Sequence, residues 1–438
     1  MTLQEFREQA FAAALRQGCD AAETYAVDGD SFTVYILDGQ VDQYVSSRDF
    51  GVGVRVLKDG KNGYAYTESL DDPEAVVARA IDNAVVIESD DEHPMQTKQE
   101  YVTVTERDNP VMAMTEREKI DLALRMEQAA KALDPRVRRM VYDVVSTSRT
   151  TVRLHNTLGL CAEQTVHSSD SYLAPLLQEG EEMRDGGAAR YDEEVLDVEG
   201  IATEAVREAA AMFGAEPVPA GEYAVVLRHD AATSLLGGFS EMFSADDAQK
   251  GLSLLAGKEG EVIASPLITI IDDPLYFRSP RAFDDEGTPS VTKAVVENGV
   301  LKTLLHNLKT AKKAGVASTS NAVRSPSSPI GVAPSNFYIP VGERSFDELV
   351  AAMGDGLILT EVSGLHAGLN TVSGDFSLLA KGFLVKDGKV VRPVERITAA
   401  GSFIPLLCGV EEVGSDLRFE GSFGSPSLRL KGLMISGQ

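Results

Sequence analysis

Along the first half of the chain, segments whose apolar residues have the spacing of a helix alternate with segments whose apolar residues have the spacing of a β-strand. Apolar residues recur at helical spacing in four segments, and two of these begin with a capping box, Thr2 with Glu5 and Thr115 with Glu118. The helices that this spacing predicts run from Thr2 to Gly18, from Pro73 to Val86, from Thr115 to about Leu133, and over about 200–213.

Strand-like alternation fills the segments between these helices. Asp38-Gly39 and Asp59-Gly60 separate such runs, and Asp-Gly dipeptides at these places are typical of β-hairpins. Residues 180–199 are rich in Glu, Asp and Gly, which favours a solvated loop. The strands that the alternation predicts cover 31–37, 41–47, 51–57, 62–67, 137–146, 150–156 and 160–168.

The second half of the chain is richer in strands, with one short helix predicted over 345–353. Its predicted strands cover 222–228, 267–272, 290–296, 300–305, 357–362, 376–385 and 389–394. We therefore expect an α+β fold, with antiparallel sheets and amphipathic helices in the N-terminal half and a β-rich, barrel-like C-terminal half. The expected domains are 1–218, made of sub-units at about 1–95 and 110–218, and 219–438.

Charge is the unusual feature of the composition. The 438 residues include 41 Lys and Arg against 67 Asp and Glu, a formal net charge of −26. Nucleic acids and anionic membranes bind through Lys and Arg, so this excess of acid argues against both as partners. Residues 151–300 hold 10 basic and 27 acidic residues, whereas residues 301–438 hold 14 and 12. The nearly neutral last third is therefore expected to have a different task.

The cysteines and the N-terminus indicate the cellular compartment in which the protein is expected. Cys19, Cys161 and Cys408 are odd in number and far apart, which argues against a disulfide framework and for a reducing environment. The N-terminus lacks the basic and apolar segments of a secretory signal, and no apolar run is long enough to span a membrane. We expect a cytoplasmic protein, with Cys408 as a small buried side chain in an apolar run.

Familiar catalytic and ligand-binding motifs are missing from the sequence. The six histidines form no pair at three- or four-residue spacing, and no cysteine pair has zinc-finger spacing. P-loop, dinucleotide-binding and nucleophile-elbow patterns are also absent. Chemistry must therefore be sought in polar, glycine-containing segments.

Two such segments precede residue 330, and each has a plainer alternative. Residues 283–290 contain three consecutive carboxylates, Asp284, Asp285 and Glu286. They could hold a hard cation or a cationic peptide terminus, but a solvated acidic turn is favoured. In the loop predicted over 318–329, Arg324 could clamp a carboxylate, and an ordinary solvated loop is the alternative.

A third polar segment, residues 362–377, places His366, Asn370, Ser373 and Asp375 among small residues. Its backbone could approach a ligand closely, although a tight connection with His366 bonded locally is the alternative. A Ser–His–Asp triad is disfavoured because Ser373 and Asp375 are only two residues apart and no strained strand-to-helix turn presents the serine.

These segments resemble the TldD/PmbA family, whose members were once called modulators of DNA gyrase. The resemblance covers essentially the whole chain. It rests on Phe50-Gly-Val-Gly-Val-Arg55, Gly63-Tyr-Ala-Tyr66, Asp284-Asp-Glu-Gly-Thr-Pro289, Glu297-Asn-Gly-Val-Leu-Lys302, the Arg324 loop, Ser335-Asn-Phe-Tyr338, Gly364-Leu-His-Ala-Gly-Leu-Asn370, Ser373-Gly-Asp-Phe-Ser377 and Lys386-Asp-Gly-Lys-Val-Val-Arg-Pro393.

The resemblance implies two kinds of subunit. The TldD kind carries His-Glu-x-x-x-His on a helix and a C-terminal Cys that together bind catalytic zinc, and the PmbA kind, also called TldE, lacks these ligands. In this chain Gly237, Gly238 and Met242 stand roughly where His, Glu and His would be, and 412–415 contains no cysteine. Glycine and a thioether do not replace imidazole and thiolate on Zn²⁺. We therefore expect no cofactor and no catalytic residue in this chain, and zinc in a TldD-like partner.

The family further implies a cytoplasmic protease complex that degrades or matures unfolded peptides. This chain would be its PmbA-like subunit, as a heterodimer or, without a partner, a homodimer, and His366, Asn370, Arg324, Ser373 and Asp375 would bind substrate in an enclosed chamber. Sheet edges could hold an extended peptide by strand addition. An independent hydrolase with an unrecognised site and a regulatory module linked to DNA gyrase remain the alternatives.

Overall fold

The computed structural model describes residues 1–86, 93–105, 109–192, 197–276 and 280–437, and its fold is α+β, as the sequence predicts. The first half contains α1 (Leu3–Arg16), β1 (Ala21–Leu37), β2 (Gln40–Lys58), β3 (Lys61–Thr67), α2 (Pro73–Val86), α3 (Glu116–Leu133), β4 (Val137–Asn156), β5 (Cys161–Glu179), β6 (Glu182–Asp185), β7 (Ala188–Tyr191) and α4 (Val198–Ala210).

The second half has many short strands. It contains β8 (Gly221–Leu227), α5 (His229–Gly238), a 3₁₀ turn (Ser240–Phe243), α6 (Ala245–Gln249), β9 (Ile270–Asp272), β10 (Lys293–Glu297), β11 (Val300–Leu301), α7 (Leu308–Ala314), β12 (Ala322–Val323), β13 (Gly331–Val332), β14 (Phe337–Tyr338), α8 (Phe346–Met353), β15 (Gly356–Ser363), α9 (Leu365–Gly368), β16 (Leu369–Asn370), β17 (Asp375–Lys386), β18 (Lys389–Ser402), α10 (Phe403–Cys408), β19 (Val410–Val413), β20 (Arg418–Glu420), β21 (Phe423–Ser425) and β22 (Leu428–Ser436).

One antiparallel sheet, in the order β3-β2-β1-β4-β5-β6 with β7 also on β5, runs through the first half. Its helices lie on one face because Ala22 and Ala26 at one end of β1, and Phe32, Val34 and Ile36 at the other end, are apolar and buried there. α1 and α2 cover one end of this face and α3 and α4 the other. On the opposite face, Tyr25 and Leu154 pack against Phe283 of the second half.

Two local predictions in this sheet need correction. The predicted strands 41–47 and 51–57 form the single strand β2, and 137–146 and 150–156 form β4, because hydroxyl pairs such as Ser31 with Ser47 continue the ladder where apolar alternation stops. The predicted solvated loop at 180–199 instead contains β6 and β7, whose backbone pairs with β5. Part of that loop, 193–196, lies outside the described residues.

Strands of the second half close into a barrel. The order is β15-β8-β22-β18-β17, and β17 pairs back with β15. A second sheet, β11-β10-β9-β14-β21-β20, shares its apolar core with the barrel, and Phe239 stacks on Phe403 within that core at a centroid distance of 4.6 Å. The C-terminal half is therefore β-rich and barrel-like, as expected.

Helix ends follow their predicted caps. Thr2 with Glu5 and Thr115 with Glu118 form complete capping boxes at α1 and α3. Within the described ranges, no helix has both the length and the apolar character needed to cross a bilayer.

All three cysteines are free, but the expected burial of Cys408 is wrong. It ends α10 on the exposed side of the helix, while Phe403 and Leu407 face the core at 1% exposure each.

Asp143 provides a pH-dependent contribution to stability. It lies on β4, 1% exposed, and burial followed by the nearby Glu127 charge raises the pKa of Asp143 to about 8. Between about pH 4 and pH 8 the folded chain holds a proton that the unfolded chain has lost, so stability falls as the pH rises. Asp143→Asn is expected to flatten the decline of the urea unfolding midpoint from about pH 5 to pH 8. Asp121→Asn, at an exposed site, is the control; a steep decline kept in Asp143→Asn would contradict the assignment.

Candidate functional site

Helix α5 follows barrel strand β8 and ends in two glycines that apolar side chains approach closely. A Cβ atom on Gly238 would lie 2.4 Å from Leu369 Cδ1, and one on Gly237 would lie 3.3 Å from the Phe423 ring. Met242, in the 3₁₀ turn that follows, is 1% exposed. The end of the helix is therefore filled, and no side chain larger than hydrogen fits at Gly238 without displacing Leu369.

The residues at these positions do not fit the zinc that the family implies. Neither glycine has a donor atom, and Met242 is buried in the apolar core. Glu412, in the segment corresponding to the family's cysteine, accepts hydrogen bonds from Arg429 at 2.6 Å and pairs with Arg344 at 3.0 Å. Within the described ranges, no group of three or more His, Cys, Asp or Glu side chains is arranged to hold a metal ion.

The loop from α9 to β17 carries four of the predicted site residues. The Asn370 side-chain oxygen accepts hydrogen bonds from the backbone N–H groups of Val372 and Ser373, both at 3.0 Å. Asp375 accepts a 2.5 Å hydrogen bond from the Ser402 hydroxyl, which lowers the pKa of Asp375. These bonds build a tight turn.

His366 lies exposed on α9. Among the described residues, no hydrogen bond joins His366 to Ser373 or Asp375, so the geometry gives no triad.

This loop and the end of α5 lie side by side. Leu365 and Leu369, which flank His366 in sequence, both face Gly238, and a Cβ atom on Gly374 would lie 3.6 Å from Met242 Cε. The structure therefore brings together the positions that correspond to the metal helix and the loop carrying His366, Asn370, Ser373 and Asp375.

Arg324 lies in a different place. Its side chain is 4% exposed, its Nη1 atom is 2.9 Å from Glu23 Oε1, and its guanidinium lies over the Tyr25 ring at 4.2 Å from the centroid. Arg55 approaches the same Glu23 oxygen at 3.8 Å. Arg324 thus belongs to a buried ionic cluster that joins β1 and β2 to the second half.

The acidic segment at 284–286 belongs to the same region, and the prediction of a solvated turn is wrong. Its three carboxylates are 5%, 3% and 1% exposed. Asp284 accepts backbone N–H bonds from Glu286 and Thr288, at 3.0 and 2.9 Å, and Glu286 contacts the His93 ring and accepts from Leu308 N–H at 2.8 Å.

Burial strongly changes the pKa values of these side chains. It raises the pKa of Asp284 and of Glu286 to about 7, with the Glu286 charge adding to the rise at Asp284, and it lowers the pKa of His93. Backbone N–H groups and the His93 ring already bond to these carboxylates. The segment therefore has a structural role, connecting parts of the fold.

A cleft of about 300 Å³ lies at the opposite end of α5, between the β5, β7 and α4 side of the first half and the β15 and β20 side of the second. Arg228 on its wall bonds Asp230 at 2.7 Å and pairs with Glu208 at 2.9 Å. Desolvation, followed by the nearby Asp230 charge, raises the pKa of Glu420 to about 7.

Models of the PmbA/TldA metallopeptidase domain 1, central domain and C-terminal domain match residues 22–85, 110–213 and 220–437. The chain belongs to the PmbA/TldD metallopeptidase family. A crystal structure of a proposed modulator of a DNA gyrase from Thermotoga maritima is 34% identical, with a TM-score of 0.93 over 99% of this chain and 100% of that one.

Further PmbA/TldD relatives span the full chain. A metalloprotease of Methanothermobacter thermautotrophicus is 28% identical over 93% of this chain and 94% of its own. The crystal structure of TldE from Thermococcus kodakarensis shares the fold, with a TM-score of 0.89 at 22% identity over 99% of this chain and 100% of that one.

Sequence patterns did not reveal two groups of residues in this PmbA/TldD chain. The buried cluster joins Glu23, Arg55 and His93 to Glu286 and Arg324, and no spacing rule links positions so far apart. The cleft likewise draws Tyr172, Asp230 and Glu420 from separate strands and helices. The acidic run at 284–286 and Arg324 in its polar loop were the two parts of the buried cluster that the sequence marked, and no pattern marked the cleft.

Proposed function

We propose that this chain is the PmbA-like (TldE-like) subunit of a cytoplasmic zinc metalloprotease complex, and that it shapes the chamber in which a TldD-like partner degrades or matures unfolded peptides. The filled end of α5 carries the proposal. Where a metal subunit of the family needs His, Glu and His, this chain has Gly237 against the Phe423 ring, Gly238 against Leu369, and a buried Met242. This chain therefore contributes no zinc ligand and acts through shape and binding.

Other observations support parts of the proposal. The relative from Methanothermobacter thermautotrophicus is named a metalloprotease, and the structural neighbour from Thermococcus kodakarensis is named TldE. Three free cysteines suit a reducing cytoplasm. The expected partner is a TldD-like subunit in a heterodimer, with a homodimer where no such subunit exists.

The predicted substrate-binding residues divide into two groups. His366 and Asn370 are exposed beside the end of α5, with Ser373 and Asp375 fixing the turn below them. We propose that this loop faces the peptide. Arg324 has a structural role instead, since Glu23 already neutralises it in a buried position.

Zinc content and proteolysis test the proposal. The purified chain alone is expected to hold no stoichiometric zinc and to leave casein intact, whereas a mixture with a His-Glu-x-x-x-His homologue from the same organism should form a complex and cleave it. Metal analysis, casein cleavage and sedimentation of the complex are the measurements. Stoichiometric zinc together with cleavage by the chain alone would establish the independent hydrolase, and salt-sensitive duplex binding would favour the gyrase-linked module.

His366→Ala tests the substrate loop. Loss of one exposed contact to the peptide should reduce cleavage by the mixed complex about threefold to tenfold while assembly persists. Arg16→Ala, on the exposed face of α1, should leave cleavage unchanged. Unchanged cleavage and assembly in His366→Ala would show that the residue is only structural.

A further inference from the structure

We propose that the cleft at the N-terminal end of α5 binds a cationic group of a peptide, through the Glu420 carboxylate and the aromatic rings beside it. The group would be the side chain of Lys or Arg or a free terminal amine, which share this chemistry. The site goes beyond the proposed function because it is a property of this chain alone and needs no metal subunit.

Among the described charges on the cleft wall, all carboxylates but one have an ion-pair partner. Arg228 pairs with both Asp230 and Glu208. Lys381 pairs with Glu361 at 2.6 Å. The fourth carboxylate is also satisfied, since Glu204 pairs with Arg190 at 2.9 Å and with Arg418 at 2.5 Å.

Glu420 is different from these four groups. It lines the same cleft and is exposed to it, and among the described residues it forms no ion pair. Asp230 and Glu361 add negative potential nearby, and Arg228 and His229 offset part of it. A cation entering the cleft would therefore meet an unneutralised carboxylate inside a negative field.

Aromatic side chains complete the site. Tyr172, Tyr191 and Phe419 line the cleft, and Tyr172 is 39% exposed. An ammonium or guanidinium group over such rings is attracted by their π electrons, and its methylene stem packs against them. A neutral side chain of the same length would gain only the packing.

Blocked tripeptides of the form acetyl-Ala-X-Ala-amide test the inference by calorimetric titration of the full chain. The X residue is Lys, Arg or norleucine, and unblocked Ala-Ala-Ala-amide presents a terminal amine. We expect one or more of the cationic peptides to bind at least about tenfold more tightly than the norleucine peptide. The blocked and unblocked arms show whether a side chain or the terminal amine is preferred.

Variants locate the binding. Glu420→Gln should weaken the binding of cationic peptides about tenfold and leave the binding of the norleucine peptide unchanged. Glu411→Gln, a carboxylate outside the cleft that pairs with Arg429, should bind like the unaltered chain. Thermal midpoints confirm that each variant is folded. Binding of every cationic peptide no tighter than that of the norleucine peptide, or full cation binding by folded Glu420→Gln, would overturn the proposal.

Discussion

Replacing Glu23 with alanine is expected to destabilise the protein by about 3–5 kcal/mol, because it leaves buried cations without their counter-charge. Glu23 is 1% exposed between the Arg55 and Arg324 guanidinium groups, whose side chains are 2% and 4% exposed. Arg55 keeps its bonds to Asn62 and to the His93 carbonyl, but no described residue bonds Nε or Nη2 of Arg324 even with Glu23 present. Most of the lost stability should therefore come from the contacts that Arg324 makes.

Thermal unfolding measures this effect as a midpoint lowered by roughly 3–5 °C. Glu74→Ala is the matched control, because Glu74 pairs with Arg16 at 2.6 Å with both side chains more than half exposed. That change should alter stability by no more than about 0.5 kcal/mol. If Glu23→Ala shifted the midpoint as little as Glu74→Ala, the buried cluster would not hold the two halves together.

Gly238→Glu, which introduces the acidic residue of a metal subunit, should destabilise the chain by about 2–4 kcal/mol. The new Cβ atom would lie 2.4 Å from Leu369 Cδ1, and the carboxylate would enter an apolar contact. We also expect no gain of zinc, since Gly237 and Met242 still supply no imidazole and the segment 412–415 supplies no thiolate. Thermal midpoints and metal analysis are the measurements.

Two further variants make this test specific. Gly221→Glu adds the same side chain at a glycine where the new Cβ atom would come no closer than 3.8 Å, to a Tyr223 ring atom, and it should be nearly neutral. Leu369→Ala combined with Gly238→Glu should recover about 1 kcal/mol or more, because it opens the crowded space. A Gly238→Glu protein as stable as Gly221→Glu would show that the end of α5 is not filled.

Local features of the fold were predictable from the sequence. Capping boxes at Thr2 and Thr115 and Asp-Gly turns depend on residues within one turn of each other, so they can be identified without tertiary structure. Pairing of β1 with β4 was not predictable, because Thr33 and Ser146 meet across the chain with no pattern linking them.

The main error of the sequence interpretation was to expect charged residues to be exposed where the structure buries them. Three adjacent carboxylates ordinarily favour solvent, and only distant segments supply what buries Glu286, namely His93 and the Leu308 N–H group. The loop from α9 to β17 could be singled out because its glycines and polar residues are adjacent in sequence. Its position beside Gly238 depends on Leu369, which no sequence pattern marked.

The buried cluster also constrains the order in which a growing chain can fold. Every strand of the N-terminal sheet is complete once residue 191 has been synthesised, yet among the described residues up to that point Glu23 and Arg55 form ion pairs only with each other. Arg324 and Glu286 emerge from the ribosome more than ninety residues later. Nascent chains will therefore carry an N-terminal sheet with one solvent-exposed face whose charges are incompletely neutralised. Water leaves this face only when the second half docks.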